Sequence, residues 1–219
     1  MDKVTFIMVG LLATLVTNLS AQANVVKSSS VPVHNYTQEG KGDMWSVLQA
    51  LAEKYHVVIG VYGNVSREGD APTFDISIKD GTLGDVFDAI TRADLRFEWY
   101  QNANGAVHFV AQGTPNPLAD VTVHSFDDKN FQEEEIADHL FSLPEIQDWL
   151  HDHKCVRYHE IINGGPPRSW KQLSVHANDL PLSSILDEIA AKSHTYYWFA
   201  AQFSTKPCKV DIEFGDVQP

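Results

Sequence analysis

A shift of 99 residues lays one stretch of this chain over another, and that internal repeat constrains the fold more than any other feature. Leu83, Val86, Phe87 and Ile90 coincide with Leu182, Ile185, Leu186 and Ile189. With no gap, the same shift brings Phe97 onto Tyr196, Trp99 onto Trp198 and Tyr100 onto Phe199. Upstream, Ile76-Ser77-Ile78 matches Leu173-Ser174-Val175 once two residues are inserted before the second helix. An apolar helix stripe recurs by chance in many proteins. A helix, a turn of fixed length and an aromatic strand held in one register is harder to obtain. The chain is therefore read as one α+β unit laid down twice, each copy packing helices against small β-sheets.

Hydrophobic periodicity fills in the units. Met44, Val47, Leu48, Leu51 and Tyr55 recur at helical spacing, and His56 to Tyr62 reads as a buried strand. Phe74 to Ile78 alternates as a strand, Thr82 with Asp85 caps a helix, and Leu95 to Trp99 and Val107 to Val110 flank the turn signal Asn104-Gly105. A leading strand is expected near Val31-Val33. In the second unit the pattern predicts a strand at Val121-Thr122-Val123 and an acidic helix from Phe131 to Leu140. Asp127-Asp128 is expected to cap that helix. Another helix is expected to start from a Ser142/Glu145 capping box, with Ile146, Trp149 and Leu150 inside. Strands follow at Cys155 to Ile162, Leu173 to Val175, Tyr196 to Phe199 and Lys209 to Phe214, with a helix from Leu182 to Ala190. The expected boundaries are a signal peptide at 1–23, an extended leader at 24–42 and a first domain at 43–113. A linker at 114–120, around Thr114-Pro115-Asn116-Pro117, leads to a divergent second domain at 121–219.

The first unit resembles the short N-terminal domain of secretins and TonB-dependent receptors. The residues that carry the likeness are Leu51-Ala52-Glu53-Lys54-Tyr55 closing a helix, the strand to Tyr62, and the run Ile76, Ile78, Leu83, Val86, Phe87 and Ile90. A final hairpin completes it. The likeness covers Asp43 to Val110 well, Leu173 to Phe214 moderately and Phe131 to Ile162 poorly. It implies a periplasmic interaction module, an accessory of a secretin or TonB-dependent envelope system that contacts another envelope protein. No run of alternating strands long enough for an outer-membrane barrel is expected after these tandem lobes.

Targeting and charge agree with that compartment. Met1-Asp2-Lys3, an apolar stretch from Phe6 to Val16 and Ala21-Gln22-Ala23 follow the pattern of a secretory signal peptide cleaved after Ala23. The apolar stretch is shorter than the roughly 20 residues a membrane span needs, so no span is expected in the mature chain. The expected location is periplasmic or secreted. A formal charge of −13 with no Lys/Arg run argues against nucleic acid as a partner. The two cysteines, Cys155 and Cys208, are most simply a disulfide in an oxidising compartment, the alternative being two buried thiols.

No catalytic residue or cofactor is expected, and the chain is read as a binding protein and not an enzyme. The densest chemical cluster is His151, His153, Cys155 and His159, whose residue types suit zinc. His151 and His153 stand two apart on a helix and so diverge, and Lys154 adds charge against a cation. A metal-binding protein or hydrolase centred on that cluster is one alternative. Glu133-Glu134-Glu135 suits a solvated helix start. The aromatics Trp99, Tyr100, Tyr197 and Trp198 occupy both faces of their strands, so one face fills a core. The other is either covered or a binding surface for protein or, as a further alternative, carbohydrate.

Overall fold

The computed structural model describes residues 27–64, 72–131, 133–158 and 173–215. The expected signal peptide, His159 and the end of the strand expected at Cys155 to Ile162 lie outside them. The described residues form an α+β fold with no closed barrel. The first half runs β1 (Pro32–Lys41), α1 (Met44–Tyr55), β2 (Ile59–Asn64), β3 (Thr73–Thr82), α2 (Leu83–Ala93), β4 (Phe97–Gln101) and β5 (Val107–Ala111). The second runs β6 (Thr122–Phe131), α3 (Glu133–Ser142), α4 (Pro144–His153), β7 (Cys155–Arg157), β8 (Leu173–Pro181), α5 (Leu182–Ser193), β9 (Tyr197–Phe203) and β10 (Cys208–Phe214).

Both halves use one strand plan. β1 pairs antiparallel with β3, as β6 does with β8. β5 lies between antiparallel β4 and parallel β2, as β10 lies between antiparallel β9 and parallel β7. The two triplets join edge to edge through parallel pairing of β2 with β9, from Ile59↔Tyr197 to Asn64↔Gln202. The result is one six-stranded sheet in the order β4-β5-β2-β9-β10-β7.

Strand directions invert from one triplet to the next, so the second is turned over relative to the first. Side chains alternate across a sheet. Along the paired register, Trp99, Phe109, Val61 and Phe199 therefore share one face, and Tyr100, His108, Gly60 and Trp198 share the other. The first face packs against α1 and α2 through Leu48, Leu51, Val86, Phe87 and Ile90. The second packs against the second half's helices through Ile136, Ile146, Ile185, Leu186 and Ile189. Each half thus brings its own helices to its own side of a shared sheet.

Local chemistry explains most boundaries. Thr82 accepts from Asp85 N while Asp85 accepts from Thr82 N, a complete capping box for α2. The capping box expected at Ser142 and Glu145 does not form. Pro144 takes the first helical position of α4, where its fixed φ and missing N–H suit a helix start. Ser142 closes α3 instead, and Glu145 accepts from His124 N at 3.0 Å. Asp127 and Asp128 lie within β6, where Asp128 contacts the His139 side chain of α3. The segment read as a leader supplies the ten-residue β1, which buries Val33 and Tyr36 against the first core. Cys155 and Cys208 face each other across β7 and β10 and form a disulfide.

Candidate functional site at the junction of the halves

The polar chemistry that the fold concentrates is at the seam between β2 and β9. Gly60 stands opposite Trp198 in the register. A Cβ on Gly60 would meet Trp198 Cζ2 at 2.1 Å, so only glycine lets the indole lie flat across the neighbouring strand. The indole is fully buried and stacks on Tyr62 with ring centroids 5.7 Å apart and planes 13° apart. Its Nε1–H donates to Asp187 Oδ1 at 2.7 Å.

Asp187 sits on α5 but serves the other half of the chain. Its Oδ2 accepts from Asn102 Nδ2 at 2.8 Å, and His108 Nε2 lies 3.0 Å from the same oxygen. His108 is on β5 and is 2 % exposed. Its Nδ1 lies 3.0 Å from Tyr100 Oη, which lies 2.7 Å from Tyr62 Oη. One proton arrangement satisfies the chain. Tyr62 donates to Tyr100, Tyr100 donates to His108 Nδ1, and His108 donates from Nε2 to Asp187. The contacts also allow Tyr62 to donate to Asp120 Oδ1, with Tyr100 then donating to Tyr62.

Burial shapes the acidities around it. Desolvation, reinforced by the hydrogen bond to Tyr100, pushes the Tyr62 hydroxyl far above its ordinary value. Desolvation also raises Tyr100, against the bond it accepts from Tyr62. It raises Asp120, whose Oδ1 lies 3.4 Å from Tyr62 Oη. A phenol held protonated in this way is a poor nucleophile and a poor acid near neutral pH. The His108–Asp187 pair resembles a catalytic dyad in its contacts. The group on the other ring nitrogen is Tyr100, so the arrangement ties α5 and β9 of the second half to β4 and β5 of the first. A cleft of about 410 Å³ opens beside it, lined by His56, Val58, Gly105, Leu180, Ser184 and Glu188 among others.

The sequence-predicted site residues divide sharply. Trp198 and Tyr197 are buried, Trp198 in the seam and Tyr197 against the first core. The Tyr197 hydroxyl has no hydrogen-bond partner among the described residues, and desolvation raises its pKa. Trp99 is half-buried and Tyr100 is 43 % exposed. The His/Cys cluster does not converge. Cys155 is held in the disulfide, and His153 stacks on Trp149 and donates from Nδ1 to its carbonyl at 2.8 Å, while His151 is exposed on α4. Among the described residues no three His, Cys, Asp or Glu side chains gather as a metal site. Nor is any helix among them long and apolar enough to cross a membrane.

Sequence reasoning did not single out Tyr62, Asn102, His108, Asp120 or Asp187. One signal was available for Asp187. Asp88 and Trp99 are 11 residues apart, as are Asp187 and Trp198, and both pairs obey the 99-residue shift. In each half the helix carboxylate accepts from the strand indole, at 2.8 Å for Trp99 to Asp88 and 2.7 Å for Trp198 to Asp187. The chain matches no known family model and no curated protein.

Proposed function

We infer that this chain is an exported interaction module built from two lobes of the secretin/TonB short N-terminal kind, acting in the envelope by binding another protein. The observation that carries the reading is the seam itself. These lobes associate by adding one sheet edge to another, with the main chain supplying affinity and an indole over glycine supplying register. Two features support an oxidising, extracytoplasmic setting: the signal-like amino terminus and the Cys155–Cys208 bond. Binding, not catalysis, fits a buried polar network whose hydroxyls are raised in pKa and whose groups already satisfy one another.

The test is chemical cross-linking of the full-length chain in its native envelope, followed by identification of the linked peptides. The reading expects reproducible links to one envelope protein at fixed sites. A chain that yields no protein cross-link and purifies with a stoichiometric small molecule would overturn it.

A further inference from the structure

We propose that β4 is the docking edge of the molecule, and that it receives a parallel strand from a lobe of similar architecture in another protein. That strand places glycine over Trp99 and a hydrogen-bond donor on Asp88. This inference rests on the interaction-module reading and gives it an address.

The template is inside the chain. By the 99-residue shift β4 is the counterpart of β9, and β9 is the edge that receives β2. The counterpart of the buried Asp187–Trp198 pair is Asp88–Trp99, which sits at an edge with no neighbouring strand among the described residues. In the seam the indole is covered by Gly60 and Tyr62, and the carboxylate by His108 and Asn102, all from the neighbouring lobe. At β4 nothing described plays these parts. Trp99 is half-buried, packed on Phe87 at 5.3 Å, and Asp88 is exposed with Oδ2 unengaged among the described residues.

The main chain agrees. Arg96 O accepts from Gln112 N and Asn102 N donates to Ala106 O, so the even-numbered residues of β4 face β5. Trp99 and Gln101 therefore turn their N–H and C=O outward, where no described group meets them. An edge strand with open groups and no blocking proline invites a further strand. Glu98 and Asp88 make this edge acidic on a chain of charge −13, so the incoming lobe is expected to bring neutral or basic donors, as His108 and Asn102 do at the seam. β2 of a second copy cannot supply the strand, because it is already paired on both sides by β5 and β9.

The probe is a synthetic peptide of residues 57–64, the chain's own β2, flanked by lysines for solubility, with a Gly-to-Leu version of equal charge at the position of Gly60. Binding to the intact protein is read by amide hydrogen exchange and by fluorescence anisotropy. The proposal expects slowed exchange at Trp99 and Gln101, at least ten-fold weaker binding of the leucine peptide, and a similar loss in Trp99→Ala. Asp88→Asn, an exposed change, serves as the second variant and is expected to weaken binding several-fold. No binding at millimolar peptide, equal binding of both peptides, or protection elsewhere on the chain would overturn it. Trp99-dependent self-association in sedimentation would also overturn it, by assigning the edge to a second copy. If the edge proposal fails while native cross-links persist, the interaction-module reading stands and only its address is lost.

Discussion

Replacing Gly60 by alanine tests whether the seam is a packed joint or a loose contact. The added methyl would lie 2.1 Å from Trp198 Cζ2 and 2.3 Å from Cε2, whereas carbon atoms rest at about 3.5 Å or more. The indole must retreat by more than about 1 Å. It has nowhere to go, being fully buried, stacked on Tyr62 and tied to Asp187 at 2.7 Å. Overpacking of this kind costs about 1–3 kcal/mol. Stretching a buried indole bond to a carboxylate beyond reach adds about 1.5–3 kcal/mol. Gly60 does not occupy the left-handed backbone region, so backbone strain contributes little. The expected loss is about 3–5 kcal/mol, read as a fall in the urea midpoint by far-ultraviolet circular dichroism. In a Trp198→Leu background the same change should cost less than about 1 kcal/mol, since the obstructing ring is gone. A cost that is small in the native background, or equal in both, would refute the packing argument.

Three further outcomes follow from the same geometry. Asp187→Ala strands His108, Asn102 and the Trp198 N–H in a buried site and should cost about 3–5 kcal/mol, while Asp88→Ala at the matching exposed position should cost under about 1 kcal/mol, both by denaturant titration. Reducing the Cys155–Cys208 bond reopens a loop of sequence separation 53, and loop-closure entropy predicts a loss of about 4 kcal/mol, seen as a lower melting temperature with reductant. Burial, with the neighbouring Glu213 carboxylate, pushes the Asp211 carboxyl from its ordinary 3.8 up to about 7. The folded state then holds a proton that the unfolded state has released. Stability from this group is full below about pH 4 and lost as pH rises towards 7. Asp211→Asn should flatten that slope and raise the melting temperature at pH 8; an unchanged pH profile would count against the assignment.

How much of this was legible in the sequence depended on how local the signal was. The start of α2 was readable because Thr82 and Asp85 answer each other across three residues. The turn at Asn104-Gly105 was readable for the same reason, with Gly105 adopting a positive φ. β1 and β6 were longer than periodicity showed, since each is an outlying ribbon in which few side chains are buried and polar residues such as His124 and Asp127 stay exposed. The capping box at Ser142 failed because Pro144 fixes the helix start more strongly than a hydroxyl two residues earlier can. The junction cluster was hidden for a different reason. His108 and Asp187 meet across 79 residues, and no spacing rule links them. Only the repeated Asp–Trp interval carried a trace of it, and a trace of that kind becomes interpretable when the two edges, one covered and one open, are seen together.

Amide hydrogen exchange along β2 and β9 bears most directly on whether the two halves form a single sheet. Ile59, Val61 and Trp198 should exchange only through global unfolding, at rates matching the inner strands β5 and β10. Exchange at the β2–β9 amides that is orders of magnitude faster than in β5 and β10 would mean separate domains on a tether, contradicting the account.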